Sequence, residues 1–186
     1  MEIEKEVRYI VDNKVWQSVI DGTTEYKPQE HMIDITMGKY GFESFAKTGL
    51  VFRVRQKGQK TTLEIKKRVQ DREWQEESIV IDLVERGVSY LSLAGLSPYL
   101  YIDRTREVRR YKGLKIFLDD VKMLGKYIEI EYQESDQAEN ELREFLQKFD
   151  ITSDPQPLYG DIIIAKYRND QSFKNEFDKK LQNLIS

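Results

Sequence analysis

Residues 4–8 read Glu4-Lys5-Glu6-Val7-Arg8, three charges alternating with other residues. In an extended strand, side chains at i, i+2 and i+4 share one face. Glu4, Glu6 and Arg8 therefore point one way, while Val7, Tyr9 and Val11 line the other. Two carboxylates on a face suit a hard divalent cation, and a guanidinium beside them suits an anion. The pattern returns along the chain. Phe52-Arg53-Val54-Arg55 sets two guanidiniums on one face, and Thr62-Leu63-Glu64-Ile65-Lys66 sets a Thr, a Glu and a Lys together. Arg104-Thr105-Arg106 repeats the arginine pair and Glu129-Ile130-Glu131 the carboxylate pair. A charged face alternating with an apolar one is also what any antiparallel sheet over a core shows. What sets this chain apart is sorting, with carboxylates towards both ends and arginines in the middle.

The bulk composition narrows the function classes. The 186 residues carry a net charge of −3 with 34% charged side chains, so the chain is not generally basic and offers little grip on a long nucleic acid. At most an RNA 5′-triphosphate end remains open as a nucleic-acid partner. The length fits one domain with a core that needs no staples. Cysteine is absent, which excludes disulfides and thiolate metal sites and suits a reducing cytoplasm. The single histidine, His31, excludes a His-rich zinc site and argues against a Ser-His-Asp triad. Any metal must be held by oxygen, which favours Mg²⁺, Mn²⁺ or Ca²⁺. No apolar run reaches the length of a membrane span.

The spacing predicts a strand over about 3–11 and a short helix capped by Asp12 and closed by Gly22. Extended chain follows over 24–37, interrupted by Pro28, and then an irregular stretch from Gly38 to Thr48. Strands over 50–56 and 60–67 are joined at Lys57-Gly58-Gln59 as a hairpin. Another strand covers 73–82, with a helix through Val84, Val88 and Leu91 after it. Strands over 99–110, 113–119 and 126–133 come next, then an acidic helix over 136–149 and a short element from Tyr159. An amphipathic helix ends the chain, with Phe173, Phe177 and Leu181 on one stripe. Within the single domain, 1–186, residues 169–186 pack on the sheet or on a second copy of the chain. The fold class is α+β: an eight-stranded antiparallel β-barrel with three or four flanking helices. Such a barrel has an interior just wide enough for side chains or a small ligand. Charged faces turned inward would make an electrostatic tunnel and imply a polyanion. Lys67, Arg68, Arg109, Arg110 and Lys112 have the other parity or lie near turns, and read as surface groups or a rim.

Together these stretches resemble the CYTH family of triphosphate tunnel metalloenzymes, which includes class IV adenylate cyclases and thiamine triphosphatase. The family opens on an E-x-E-x-K strand, and Glu4 to Arg8 matches it with Arg in place of Lys. Its paired arginines resemble Arg53 and Arg55, its threonine strand ending in Lys resembles Thr62 to Lys66, and its basic strand resembles Arg104 to Arg106. Leu118-Asp119-Asp120-Val121 followed by Leu124-Gly125-Lys126-Tyr127-Ile128-Glu129-Ile130-Glu131 matches in order, and Pro157-Leu158-Tyr159 is similar to a tyrosine segment near the family's C-terminus. The chain departs where the family has Asp-x-Tyr-Phe-Asp, keeping only Asp34, and where Gln75 replaces a carboxylate.

The resemblance implies one or two Mg²⁺ or Mn²⁺ ions held by Glu4, Glu6, Asp119, Glu129 and Glu131. It implies a triphosphate gripped by Arg8, Arg53, Arg55, Lys66, Arg104 and Arg106, with the planar guanidinium fork matching phosphate oxygens. Catalytic candidates are Glu6, Glu64, Lys66 and Glu131, any of the three carboxylates serving as base. The implied activity is hydrolysis of inorganic, nucleoside or another organic triphosphate. Cyclisation of ATP to cyclic AMP is the alternative, and a non-catalytic nucleotide- or polyphosphate-binding module the third. Tyr40, Phe42 and Phe45 could stack on a base, although packing is the simpler account of them.

Overall fold

The computed structural model describes residues 4–70 and 73–185, and of Glu4, residues 69–70, 73–74 and 184–185 only the backbone. The first half runs β1 (Glu4–Ile10), α1 (Asn13–Gly22), β2 (Thr24–Gly38), a 3-10 turn (Gly41–Glu43), α2 (Ser44–Thr48), β3 (Leu50–Lys57), β4 (Lys60–Gln70) and β5 (Glu73–Ile81). The second runs α3 (Val84–Leu93), β6 (Ser97–Tyr111), β7 (Leu114–Val121), β8 (Gly125–Gln133), α4 (Asp136–Lys148), α5 (Tyr159–Asn169) and α6 (Gln171–Ile185). The class is α+β, with eight strands in one sheet in the order β1-β8-β7-β6-β2-β3-β4-β5. Among the described residues no ladder joins β1 to β5, the two ends of that order. Among the described residues six α-helices stand where three or four were expected. The stretch 38–48 is two short helical turns, and β2 runs through Pro28 without a break. Contacts gather the chain into two compact units, Met1–His31 with Arg104–Leu158, and Met32–Asp103 with Tyr159–Ser186.

Unit one pairs β1 with β8 and β7 with both β8 and β6, all antiparallel. Strand alternation sends Leu114, Ile116 and Leu118 of β7, Ile128 and Ile130 of β8, and Tyr9 of β1 to one face, where they pack with Val19, Phe145 and Phe149. Helix α1 starts where Asp12 accepts a hydrogen bond from the Val15 amide at 2.8 Å, and α4 starts at Ser135, which accepts from Ala138 at 3.1 Å. These caps satisfy amides that have no helical partner. Gly22 does not close α1 as a left-handed cap: the cap residue is Thr23 with an extended backbone. Gly22 is needed because a Cβ there would stand 2.5 Å from the Phe149 ring. Arg109, expected at the surface, is buried. It donates to the carbonyls of Ile20 and Thr23 at 2.7 and 2.8 Å and pairs with Glu107. It thereby supplies the donors that the last turn of α1 lacks.

In unit two, β3 and β4 form the expected hairpin, turning at Gly58 with φ of +56°, a conformation that costs glycine little. Helix α3 lies against β3 and β5, and Gly87 permits it, because a Cβ there would meet Ile81 at 2.6 Å and Val54 at 2.9 Å. Phe177 of α6 is 1% exposed and stacks on Tyr101 of β6 with ring centroids 4.6 Å apart. Burial raises the Tyr101 phenol far above the ordinary tyrosine range, so it stays neutral there. Phe42 meets Tyr99 and Tyr167 edge-on and is packing material.

Gly22→Ala should lower the thermal midpoint. Crowding the Phe149 ring costs about 1–3 kcal/mol, more than a helix-end alanine returns. An unchanged melting curve would show that Phe149 moves aside freely.

Candidate functional site

The opposite face of the unit-one sheet is charged, and register explains how. Arg8 of β1 lies directly across from Glu129 of β8, and donates to its Oε2 from Nε at 3.2 Å and Nη2 at 2.8 Å. Arg106 of β6 lies across from Asp119 of β7 and grips it with two bonds, 2.6 and 2.5 Å. A further bond from Arg106 to Glu129 Oε1, at 3.0 Å, joins the two pairs. Arg104 Nε lies 4.0 Å from Asp119 Oδ2. Asp119 is 0% exposed, Glu129 5%, and Arg8 and Arg104 6%. Glu6 pairs with Arg8, and Glu131 with Lys115. Glu6 and Glu131 are themselves cross-strand partners, like charges facing each other, an arrangement that repels unless a cation stands between. Burial raises the Tyr127 phenol on this face, with Arg8 pulling the other way.

Unit two repeats the device with other strands. Arg55 of β3 lies across from Asp34 of β2 and holds it through two bonds of 2.6 and 2.9 Å. Arg53 lies across from Glu64 of β4 and donates to it from Nε at 2.7 Å. Arg55 Nη1, 3.7 Å from Glu64 Oε1, links the two pairs, and Thr62 donates to the same oxygen at 3.0 Å. Asp34 is 2% exposed and Glu64 6%.

Part of this chain matches a known family model. The CYTH domain model covers residues 41–157, more than half of the chain. The protein belongs to the CYTH family. No curated protein sequence matches it significantly, but solved structures share its fold. The PH1819 protein from Pyrococcus horikoshii OT3 is 23% identical with a TM-score of 0.68, over 88% of this chain and 99% of that one. HpAC1 from Hippeastrum, reported to have a dominant triphosphatase activity, is 18% identical with a TM-score of 0.61, over 90% and 95%. A protein from Vibrio parahaemolyticus, proposed to be an adenylate cyclase, is 17% identical with a TM-score of 0.62, over 87% and 98%.

Within this CYTH chain the structure groups Glu6, Arg8, Arg104, Arg106, Asp119, Glu129 and Glu131 on one face of unit one, and Arg53, Arg55 and Glu64 on one face of unit two. The Glu4 side chain, expected as a metal ligand, lies outside the described residues. Lys66 shares a face with Glu64 but pairs with Glu76 at 2.6 Å. Within each unit acids and guanidiniums alternate across neighbouring strands, because register puts Arg8, Arg106, Arg53 and Arg55 each opposite a carboxylate, while Arg104 lies across from Val121. Lys115 escaped the sequence reading. Its Nζ lies 4.7 Å from the centroid of the Phe117 ring, whose centroid lies 4.3 Å from the Arg106 guanidinium. The signal was the alternation Lys115-x-Phe117-x-Asp119, hidden by the aromatic in its centre. Asp34 stood in the sequence as a remnant of a family motif and is the buried partner of Arg55.

The donor set suits a hard cation, since every candidate ligand is a carboxylate oxygen. Among the described residues no three such groups converge as a ready-made cage, because arginine and lysine already hold the oxygens. Mg²⁺ commonly takes one or two carboxylates and completes its shell with water and substrate phosphate. The facing pair Glu6 and Glu131, with Glu129 beside it, fits that mode.

Arg106→Ala should cost about 3–5 kcal/mol, because it strands the carboxylates of Asp119 and Glu129 in a buried setting. Asp120→Ala, at the exposed residue next to Asp119 in β7, should stay within about 0.5 kcal/mol. Urea midpoints check both, and equal shifts would contradict the pairing.

Proposed function

We propose that this CYTH protein is a metal-dependent triphosphatase acting on an inorganic, nucleoside or other organic triphosphate. The observation that carries the reading is the pair of charged faces, each built from buried carboxylates held by buried or partly buried arginines of neighbouring strands. Apolar residues of similar size would stabilise a fold at least as well, so guanidiniums gathered in this way point to an anionic ligand. Each face is by itself a phosphate-binding candidate, Arg8, Arg104 and Arg106 on that of unit one, and Arg53, Arg55 and Lys66 on that of unit two. A phosphate competes for them with fork-shaped, charge-assisted hydrogen bonds.

In this reading each arginine exchanges a carboxylate for a phosphate oxygen as substrate binds. The exchange frees carboxylate oxygens, and Glu6, Glu129 and Glu131, with Asp119 and Glu4, are the residues that would then hold Mg²⁺ or Mn²⁺. A bound divalent ion supplies charge neutralisation at the phosphate oxygens. The protein's own share is positioning and electrostatic stabilisation, which dominate phosphoryl transfer. Glu6 and Glu131 are better placed than Glu64 to accept the proton of an attacking water. Both Glu64 oxygens are engaged by Arg53, Arg55 and Thr62, whereas the Glu6 side chain is 41% exposed and that of Glu131 19%.

The test is to incubate the purified protein with triphosphate, ATP and thiamine triphosphate, with Mg²⁺ or Mn²⁺, and identify the products. Orthophosphate is expected. Cyclic AMP with pyrophosphate would make the protein a cyclase, and tight binding without turnover would make it a binding module. Glu131→Gln should lower kcat by about 10²-fold or more, the range of a lost general base, with little change in thermal midpoint.

A further inference from the structure

Residues 153–157 read Ser153-Asp154-Pro155-Gln156-Pro157 and form neither helix nor strand, yet they are bonded to β1 at three points. β1 stands at one end of the strand order, and alternate residues of an antiparallel strand turn their backbone groups away from the neighbour. Arg8 and Ile10, two positions apart, do so here. The Arg8 carbonyl accepts from the Gln156 amide at 2.8 Å, and the Ile10 carbonyl from the Ser153 hydroxyl at 3.0 Å. A side chain makes the third bond: Arg8 Nη1 donates to the Pro157 carbonyl at 3.1 Å. One arginine of the charged face is thus held by its main chain and its guanidinium at once, through consecutive residues of one segment.

The segment is stiff and anchored. Ile151, just ahead of it, is buried in the unit-one core. Pro155 and Pro157 fix their own φ angles and keep Asp154 and Gln156 extended, and Gln156 Nε2 donates to the Asp154 carbonyl at 2.9 Å. The bonds of the guanidinium fall into two kinds. Nε and Nη2 face the carboxylates of Glu129 and Glu6, the acceptors that a phosphate would replace, whereas Nη1 rests on the backbone of this segment. We propose that residues 153–157 are a positioning element for Arg8: the Pro157 carbonyl keeps Nη1 in place while Nε and Nη2 pass from carboxylate to phosphate. This rests on the triphosphatase reading of the unit-one face and gives that face a support from outside the sheet. A lysine has one nitrogen for all of these acceptors, so its hold on Pro157 and on a ligand would compete.

The test is a double-mutant cycle read by calorimetry with triphosphate and Mg²⁺, at a temperature where melting curves show every variant folded. Pro155→Gly with Pro157→Gly loosens the segment but keeps its carbonyls, and Arg8→Lys keeps the charge but not the fork. One hydrogen bond to a charged group is worth about tenfold in affinity. Loosening the segment should therefore weaken triphosphate binding about tenfold when Arg8 is present, and by less than about twofold when combined with Arg8→Lys. Without ligand, Arg8→Lys should speed hydrogen exchange at the Gln156 amide about tenfold, followed by NMR. An equal loss in both backgrounds, no loss in either, or an unchanged exchange rate overturns the positioning role, while triphosphate binding itself leaves the triphosphatase reading in place. If Arg8→Lys speeds Gln156 exchange but no form of the protein binds triphosphate, the hold on Arg8 stands and the triphosphatase reading falls.

Discussion

The arginine–carboxylate pair placed directly across neighbouring strands is the constraint on which the rest of this structure depends. A guanidinium removed from water without a partner would cost far more than a small domain has to spare. Register therefore leaves little choice: Arg8 must meet Glu129, Arg106 must meet Asp119, Arg55 must meet Asp34 and Arg53 must meet Glu64. A one-residue slip of any of these strands would turn its charges into the apolar layer and its isoleucines into the charged one. The polar face thus fixes pairing as firmly as the core does.

The same arrangement appears in both units with different strands, and in each a third contact ties two pairs into a network. Arg106 bridges Asp119 and Glu129 in one unit, and Arg55 bridges Asp34 and Glu64 in the other. On the unit-one face Arg8, Arg104, Arg106 and Lys115 stand among Glu6, Asp119, Glu129 and Glu131. Such a network is rigid enough to be preorganised yet rests on contacts that an incoming phosphate can replace. That combination distinguishes it from a core of apolar side chains, which can hold shape but cannot exchange partners.

Much of this was legible because strand alternation is a strict period of two. The charged and apolar faces of β1, β3, β4, β6 and β8 follow from residue parity alone, and the cap at Asp12 from an aspartate placed just ahead of a helical pattern. Partner identity did not follow. Nothing local to Arg55 says that Asp34 will lie opposite, since β2 and β3 are joined by two short helices whose geometry the sequence read as irregular. Arg109 misled for a related reason: its parity places it away from the charged face, which for a strand covered by a helix means burial rather than water. Gly22 was read through backbone conformation when the decisive fact was an aromatic ring from a distant helix. Lys115 was missed because Phe117, between it and Asp119, broke the expected run of charge.

The order of the strands has a temporal consequence. β1 precedes the other seven strands described, yet its neighbour β8 follows them all, and Glu6 waits for Glu131, 125 residues further along. Long-range closures of this kind are slow to form, and until they do, the β1 edge and its isolated charges face the solvent. Translation must therefore deliver a stretch that stays soluble while unpaired.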